Sequence, residues 1–177
     1  MTNAKLKTYL KRVNACVESI EWLGERDLAT AWSECERADW LLWLAAKRCD
    51  RKAVVLAACA CARKALKYVP KGEDRPRIAI ETAEAWTRGE ATIEQVRTAA
   101  AAAYAAAAAY ADAAYAADAA YAAYAAANAA NAAYAAAYAA DAAASAANAA
   151  YARSSSLREM ADIVRGIIKV EDLWERT

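Results

Sequence analysis

Apolar residues recur at three- and four-residue spacing along much of this 177-residue chain. Leu6, Tyr9, Leu10, Val13, Val17, Ile20 and Leu23 follow that rhythm and predict one helix over 5–23, stopped at Gly24. Asp27 suits the N-cap of a short helix reaching about Glu36. Trp40, Leu41, Trp43 and Leu44 mark a third helix over 38–49. Asp50 can cap a fourth over 51–68, with Val54, Val55, Leu56, Cys59 and Leu66 inward. Residues 69–77 (VPKGEDRPR) hold both prolines and a glycine, which makes them the clearest loop. Pro76 fits the first turn of a helix over 76–88 closed by Gly89. Thr92 and Gln95 have capping-box spacing, so the next helix starts near Ile93. Ser154, Ser155 and Ser156 offer caps for a last helix over 157–170. Its stripe is Leu157, Met160, Ile163, Val164, Ile167 and Ile168.

Between the last two segments the pattern changes. Residues 99–152 are 54 positions holding 39 alanines, eight tyrosines, three aspartates, three asparagines and one serine. Alanine is the best helix former and neither Gly nor Pro interrupts, so the tract is helical. One uninterrupted helix over 93–152 would be about 90 Å long. From Asp118 to Tyr151 the larger residues advance by about 3.3 positions. A straight helix needs 3.6, so the stripe drifts by about 30° per step. A break near Asn128 to Asn131 resets that phase and predicts a close-packed helical hairpin, with one long helix as the rival. The expected fold is all-α: a single compact multi-helix bundle over 1–177, with the Ala/Tyr-rich tract 99–152 inside it.

Composition sharpens this picture. Four glycines and two prolines are too few for many turns, and with no Phe the six Trp and ten Tyr carry much of the bulk. The net charge of +1 argues against a general nucleic-acid binder and against a heavily acidic nucleic-acid mimic. Its distribution is uneven, because residues 47–77 carry ten basic side chains against three acidic ones. No early apolar run suggests a secretory signal, and no window suggests a membrane span, so the expected location is the cytoplasm. The five cysteines are an odd set without framework spacing and read as reduced thiols.

Candidate chemistry is sparse. His is absent, which removes the commonest general base and metal ligand. Cys59 and Cys61 face apart on a helix and complete no zinc set. No phosphate-binding glycine loop or serine elbow occurs, so neither catalysis nor a cofactor is expected. Glu34, Glu36 and Asp39 cluster beside Trp40 and Trp43. They could hold a cation, although helix-start charge is the commoner role. Arg75 and Arg77 flank a proline, where guanidinium forks could grip a phosphate or carboxylate; equally, Glu73 and Asp74 could pair with them and lock the turn. The tract's tyrosines read mainly as packing between close backbones.

Residues 64–97 (KALKYVPKGEDRPRIAIETAEAWTRGEATIEQVR), 34–45 (ECERADWLLWLA) and 158–165 (REMADIVR) together carry a resemblance. The chain resembles the Imm-five-like family of immunity proteins associated with bacterial polymorphic toxin systems. The resemblance implies an all-helical, non-enzymatic protein that neutralises a bacterial toxin or effector protein by binding it. Its motif positions fall here on Trp40, Trp43, Glu73, Asp74, Arg75, Arg77, Glu81, Glu84 and Trp86. Of these, Trp40, Trp43, Glu73, Asp74, Arg75, Arg77 and Trp86 are the expected binding residues. A different reading is a phage-encoded counter-defence sponge that sequesters a small anionic nucleotide signal between the 47–77 arginines and aromatic rings. A flat surface-binding helix array fits poorly, because the tract lacks Thr and its stripe drifts. Self-association into a homo-oligomer stays open.

Overall fold

The computed structural model describes residues 1–64, 66–69, 71–109 and 150–174. The described residues form eight α-helices and no strand. These are α1 (Asn3–Arg12), α2 (Val17–Leu23), α3 (Leu28–Glu34), α4 (Ala38–Arg48), α5 (Arg51–Arg63), α6 (Arg75–Arg88), α7 (Ile93–Ala109) and α8 (Ala150–Ile167). Two short 3-10 turns, Leu66–Tyr68 and Glu171–Leu173, complete the set. The all-α expectation holds. The hairpin predicted around Asn128 to Asn131 lies outside the described residues. The tract's first part, through Ala109, extends α7, and residues 150–152 open α8.

Local chemistry explains most boundaries. Asp27 Oδ1 accepts from the Thr30 N–H at 2.9 Å, and Asp50 Oδ2 from the Lys52 N–H at 3.0 Å, so both acids cap as expected. Thr92 and Gln95 exchange reciprocal bonds of 2.7 and 3.2 Å, completing the capping box. At the end of α6, Gly89 is left-handed. The Glu90 N–H reaches Ala85 O at 2.9 Å and the Gly89 N–H reaches Trp86 O at 3.0 Å, a Schellman closure.

Three predicted helices have different bounds. The helix expected over 5–23 is two, because Asn14 adopts φ +57°. Its N–H bonds to Lys11 O and the following Ala15 N–H to Leu10 O, so asparagine here does the work of a glycine cap inside an unbroken apolar rhythm. The helix expected over 51–68 ends at Arg63 and is followed by the 3-10 turn Leu66–Tyr68. The last helix begins at Ala150 rather than 157 and ends at Ile167. Alanine and tyrosine upstream already propagate it, so Ser154, Ser155 and Ser156 lie within the helix and do not cap it.

Helix α5 is the central element, packed against α4, α6 and α8, while α6 and α7 form an antiparallel pair and α8 also lies on α4. Crossings are lined by alanine: Ala45, Ala57, Ala58, Ala62, Ala79 and Ala161 are fully buried. Small residues let backbones approach closely, and Leu42, Val55, Ile80, Met160 and Val164 fill the remaining space. The chain's ends are tied to the same body. Arg48 donates to Leu173 O at 2.9 Å and stacks on Trp174 at 4.1 Å, while Trp174 meets Tyr9 edge-on at 5.1 Å. No helix among the described residues is long and apolar enough to cross a membrane.

Candidate functional site

The break at Asn14 has a consequence for shape. It separates α1 from α2, and residues of α1, α2, α3 and the start of α4 border open space. The result is a half-open cavity of about 410 Å³. Its walls carry four of the chain's six tryptophans, Trp22, Trp32, Trp40 and Trp43, over a floor that includes Leu6 and Leu28. Trp32 is buried, whereas Trp22, Trp40 and Trp43 are half-buried. Trp22 and Trp40 meet edge to face with centroids 6.0 Å apart.

Cations lie against three of the four indoles. The Arg26 guanidinium is 4.6 Å from the Trp22 ring, Arg37 is 4.5 Å from Trp40, and the Lys47 ammonium is 5.6 Å from Trp43. The acids singled out beside these tryptophans each take a different arginine. Glu34 accepts from Arg26 at 2.7 Å, Glu36 from Arg158 at 2.8 Å, and Asp39 from Arg37 through both oxygens. The cluster is therefore a set of ion pairs, of which only Arg37–Asp39 lines the cavity, and no group of three potential metal ligands occurs among the described residues.

Helix α8 holds this region from behind. Arg165 Nη1 donates to Trp32 O at 3.2 Å and Cys35 O at 2.7 Å, satisfying carbonyls at the end of α3. Its side chain is also paired with Asp162. The Cys35 thiol lines the cavity, and burial pushes it up to about 11, so it is a packing group rather than a nucleophile. Burial also pushes Cys61 up to about 12, and Cys59 higher still.

The second predicted site behaves differently. Arg75 donates Nε to Glu73 Oε1 at 2.7 Å and Nη2 to Glu73 Oε2, while its backbone N–H reaches the same carboxylate at 3.0 Å. These bonds hold the Glu73 carboxyl below its ordinary range. Arg77 pairs with Asp74 at 3.1 Å and with Glu81 at 2.9 Å. One turn on, Glu84 takes both ends of the Arg63 fork at 2.8 and 2.7 Å. The segment is thus an ion-paired staple at the start of α6, with Glu81 and Glu84 as partners. Trp86 packs half-buried against the core.

Of the expected binding residues, Trp40 and Trp43 come together on the cavity. Glu73, Asp74, Arg75, Arg77 and Trp86 line no part of it. Sequence reasoning passed over Trp22, Trp32, Arg37 and Arg165. A run of tryptophans on three successive helices before Ala45 was the available signal for the first two; Arg165 gave none, since its acceptors are backbone carbonyls more than 100 positions away.

Comparison with known proteins adds one finding. The family described as "Imm-5 like putative immunity protein" matches residues 45–166. No curated protein and no solved structure matches the chain. Every residue lining the cavity precedes the matched span, whereas the ion-paired staple lies inside it.

Proposed function

The chain belongs to the Imm-5 like family of immunity proteins, and from that premise we propose that it is a non-enzymatic inhibitor that neutralises a bacterial toxin or effector protein by binding it in the cytoplasm. Family membership over residues 45–166 is the observation that carries this reading. The cavity supports it, because an apolar, tryptophan-lined recess with the Arg37–Asp39 pair on its wall has the anatomy of a protein-binding hot spot. The nucleotide-sponge reading leans on Arg75 and Arg77, and their guanidiniums are already engaged by Glu73, Asp74 and Glu81. A phosphate would have to displace those carboxylates, so the inhibitor reading is preferred.

The test is co-expression with toxin domains drawn from the genes that neighbour this one. Restored growth, together with a purified complex of nanomolar affinity by calorimetry, is the expected result. Saturable binding of a nucleotide signal without any toxin complex, abolished in Arg75→Ala or Arg77→Ala, would establish sequestration instead.

A further inference from the structure

The tryptophan-lined cavity is outside the family-matched span, and no comparison assigns it a ligand. Its chemistry nonetheless restricts what can enter. Four indoles and a leucine floor make the interior apolar. The side-chain polar groups on the wall are largely committed: Ser19 Oγ donates to Cys16 O at 2.8 Å, Cys35 Sγ bonds to Arg37 O at 3.6 Å, and Arg37 is joined to Asp39. The open donors on the wall are neutral indole N–H groups and the Asn14 amide, and its one guanidinium, Arg37, is already held by Asp39, so a phosphate or nucleotide finds no uncompensated cation to offset its desolvation.

A cationic occupant is disfavoured for a separate reason. Aromatic cages hold ammonium groups with ring faces that are otherwise vacant. Here Arg26, Arg37 and Lys47 already lie on three of the four indoles. A further positive charge would meet their repulsion as well as the loss of its own hydration. Asp39 on the wall and Glu34 and Glu36 nearby are each neutralised by an arginine, so they add no net attraction for it. What remains is a neutral group that gains from contact with indole edges and faces. An aromatic ring gains more there than an aliphatic chain of equal area.

We propose that this cavity seats one uncharged aromatic side chain presented by the partner protein. The proposal rests on the partner-binding reading above and names the chemistry of its anchor. The Arg37–Asp39 pair on the wall, with Arg26–Glu34 and Arg158–Glu36 in and beside the adjoining recess that shares Trp22 and Arg37, then flanks the inserted ring as exchangeable ion pairs. Such an arrangement supplies specificity at the edge while the ring supplies the affinity.

The experiment follows the indole N–H resonances of the full ¹⁵N-labelled chain during titration with blocked amino-acid amides. N-acetyl-tryptophanamide and N-acetyl-phenylalaninamide should shift the Trp22, Trp32, Trp40 and Trp43 signals saturably, with dissociation constants on the order of 1 mM. N-acetyl-lysinamide should bind at least about tenfold more weakly. Absence of shifts, or equal shifts with the lysine amide, overturns the proposal. Two filling variants, Ala31→Phe on the wall and Ser19→Phe nearer the mouth, should abolish the aromatic shifts. Both positions line the cavity, and Ser19 is only half-buried, so it tolerates the larger ring if Ala31 does not. In the growth assay, a folded filling variant should lose protection against the toxin that the wild-type chain neutralises. A filled variant that protects fully overturns the docking role while leaving the inhibitor reading intact. A wild-type chain that binds the aromatic amide but protects against no toxin removes the inhibitor reading and this proposal together, and leaves a small-molecule site.

Discussion

Two regions of this molecule concentrate its chemistry, and they resolve it in opposite ways. Residues 73–77 hold two arginines and two acids in five positions, and the fold pairs them off against one another and against Glu81. Residues 22–43 hold four tryptophans, and the fold leaves an opening between them. Charges in a loop can satisfy each other locally, because the turn brings them within a few ångströms. Indoles on three short helices cannot all reach one another, because rigid elements fix their spacing. A charge-rich motif is thus a poor guide to an open site here, and an aromatic-rich segment a better one.

The contrast predicts a gradient of mechanical cost, with the widest separation in thiol reactivity. Cys59 and Cys61 sit in the fully buried core, and burial holds Cys61 up to about 12. Burial leaves very little of either thiol ionised at pH 8, and access requires opening of the fold. Exposed Cys16, on the cavity lip, should therefore be alkylated by iodoacetamide at least a hundredfold faster than either, measured by intact mass and peptide mapping. Comparable rates for all three would mean that the α5 core opens as readily as the rim.

Core truncation gives the next largest effect. Ile80 is fully buried on α6, which packs against α5, so Ile80→Ala should cost about 2–5 kcal/mol by urea denaturation. Leu44 is half-buried and borders space that is already empty, and Leu44→Ala should cost nearer 1 kcal/mol. Equal losses would show that the cavity closes in solution and that the two regions are packed alike.

How much of this was legible in the sequence depends on the range of the interaction involved. Asp27, Asp50, Thr92 with Gln95, and Gly89 act within a few residues of themselves, and all were readable as caps. Trp40 and Trp43 were expected together because they share one helix and both fall on motif positions of the resemblance. Trp22 and Trp32 join them only through the relative placement of α2, α3 and α4, which no local pattern encodes. The alternative of ion pairing within 73–77 was open from the spacing, but only the geometry chose it over an anion site. Asn14 was hidden by its own setting, since the apolar rhythm runs through it on both sides and favours one helix.

That position is also where the two regions can be pulled apart by a single change. Asn14 holds φ +57° and lines the cavity mouth, so a residue with a β-carbon and no local polar group is strained there. Asn14→Ala should lower stability by about 1–2 kcal/mol, whereas Asn14→Gly should be close to neutral. Thermal denaturation of both variants checks the pair. If alanine is as well tolerated as glycine, the turn between α1 and α2 is not set by this residue, and the cavity owes its opening to something else.

The smallest effect tests the staple. The Glu73 side chain is only 6% exposed, and Arg75 holds its carboxyl below the ordinary value of 4.5. In the folded state it therefore stays ionised to lower pH than in the unfolded chain. The unfolded state takes up the proton first, so the pair's contribution is complete above about pH 5 and is lost as pH falls through 4.5 and then through the depressed folded value. Glu73→Gln keeps the shape and removes the charge. Because Arg75 is 42% exposed and solvent screens it, the loss at pH 7 should be about 1 kcal/mol or less. The informative quantity is the slope: between pH 5 and pH 3 the variant's stability should fall less steeply than that of the wild type, by urea denaturation at each pH. Parallel slopes would mean that the carboxylate is not held by Arg75 in solution. The Glu73 side of the staple would then be open, and the distinction between a closed staple and an open cavity would fail there.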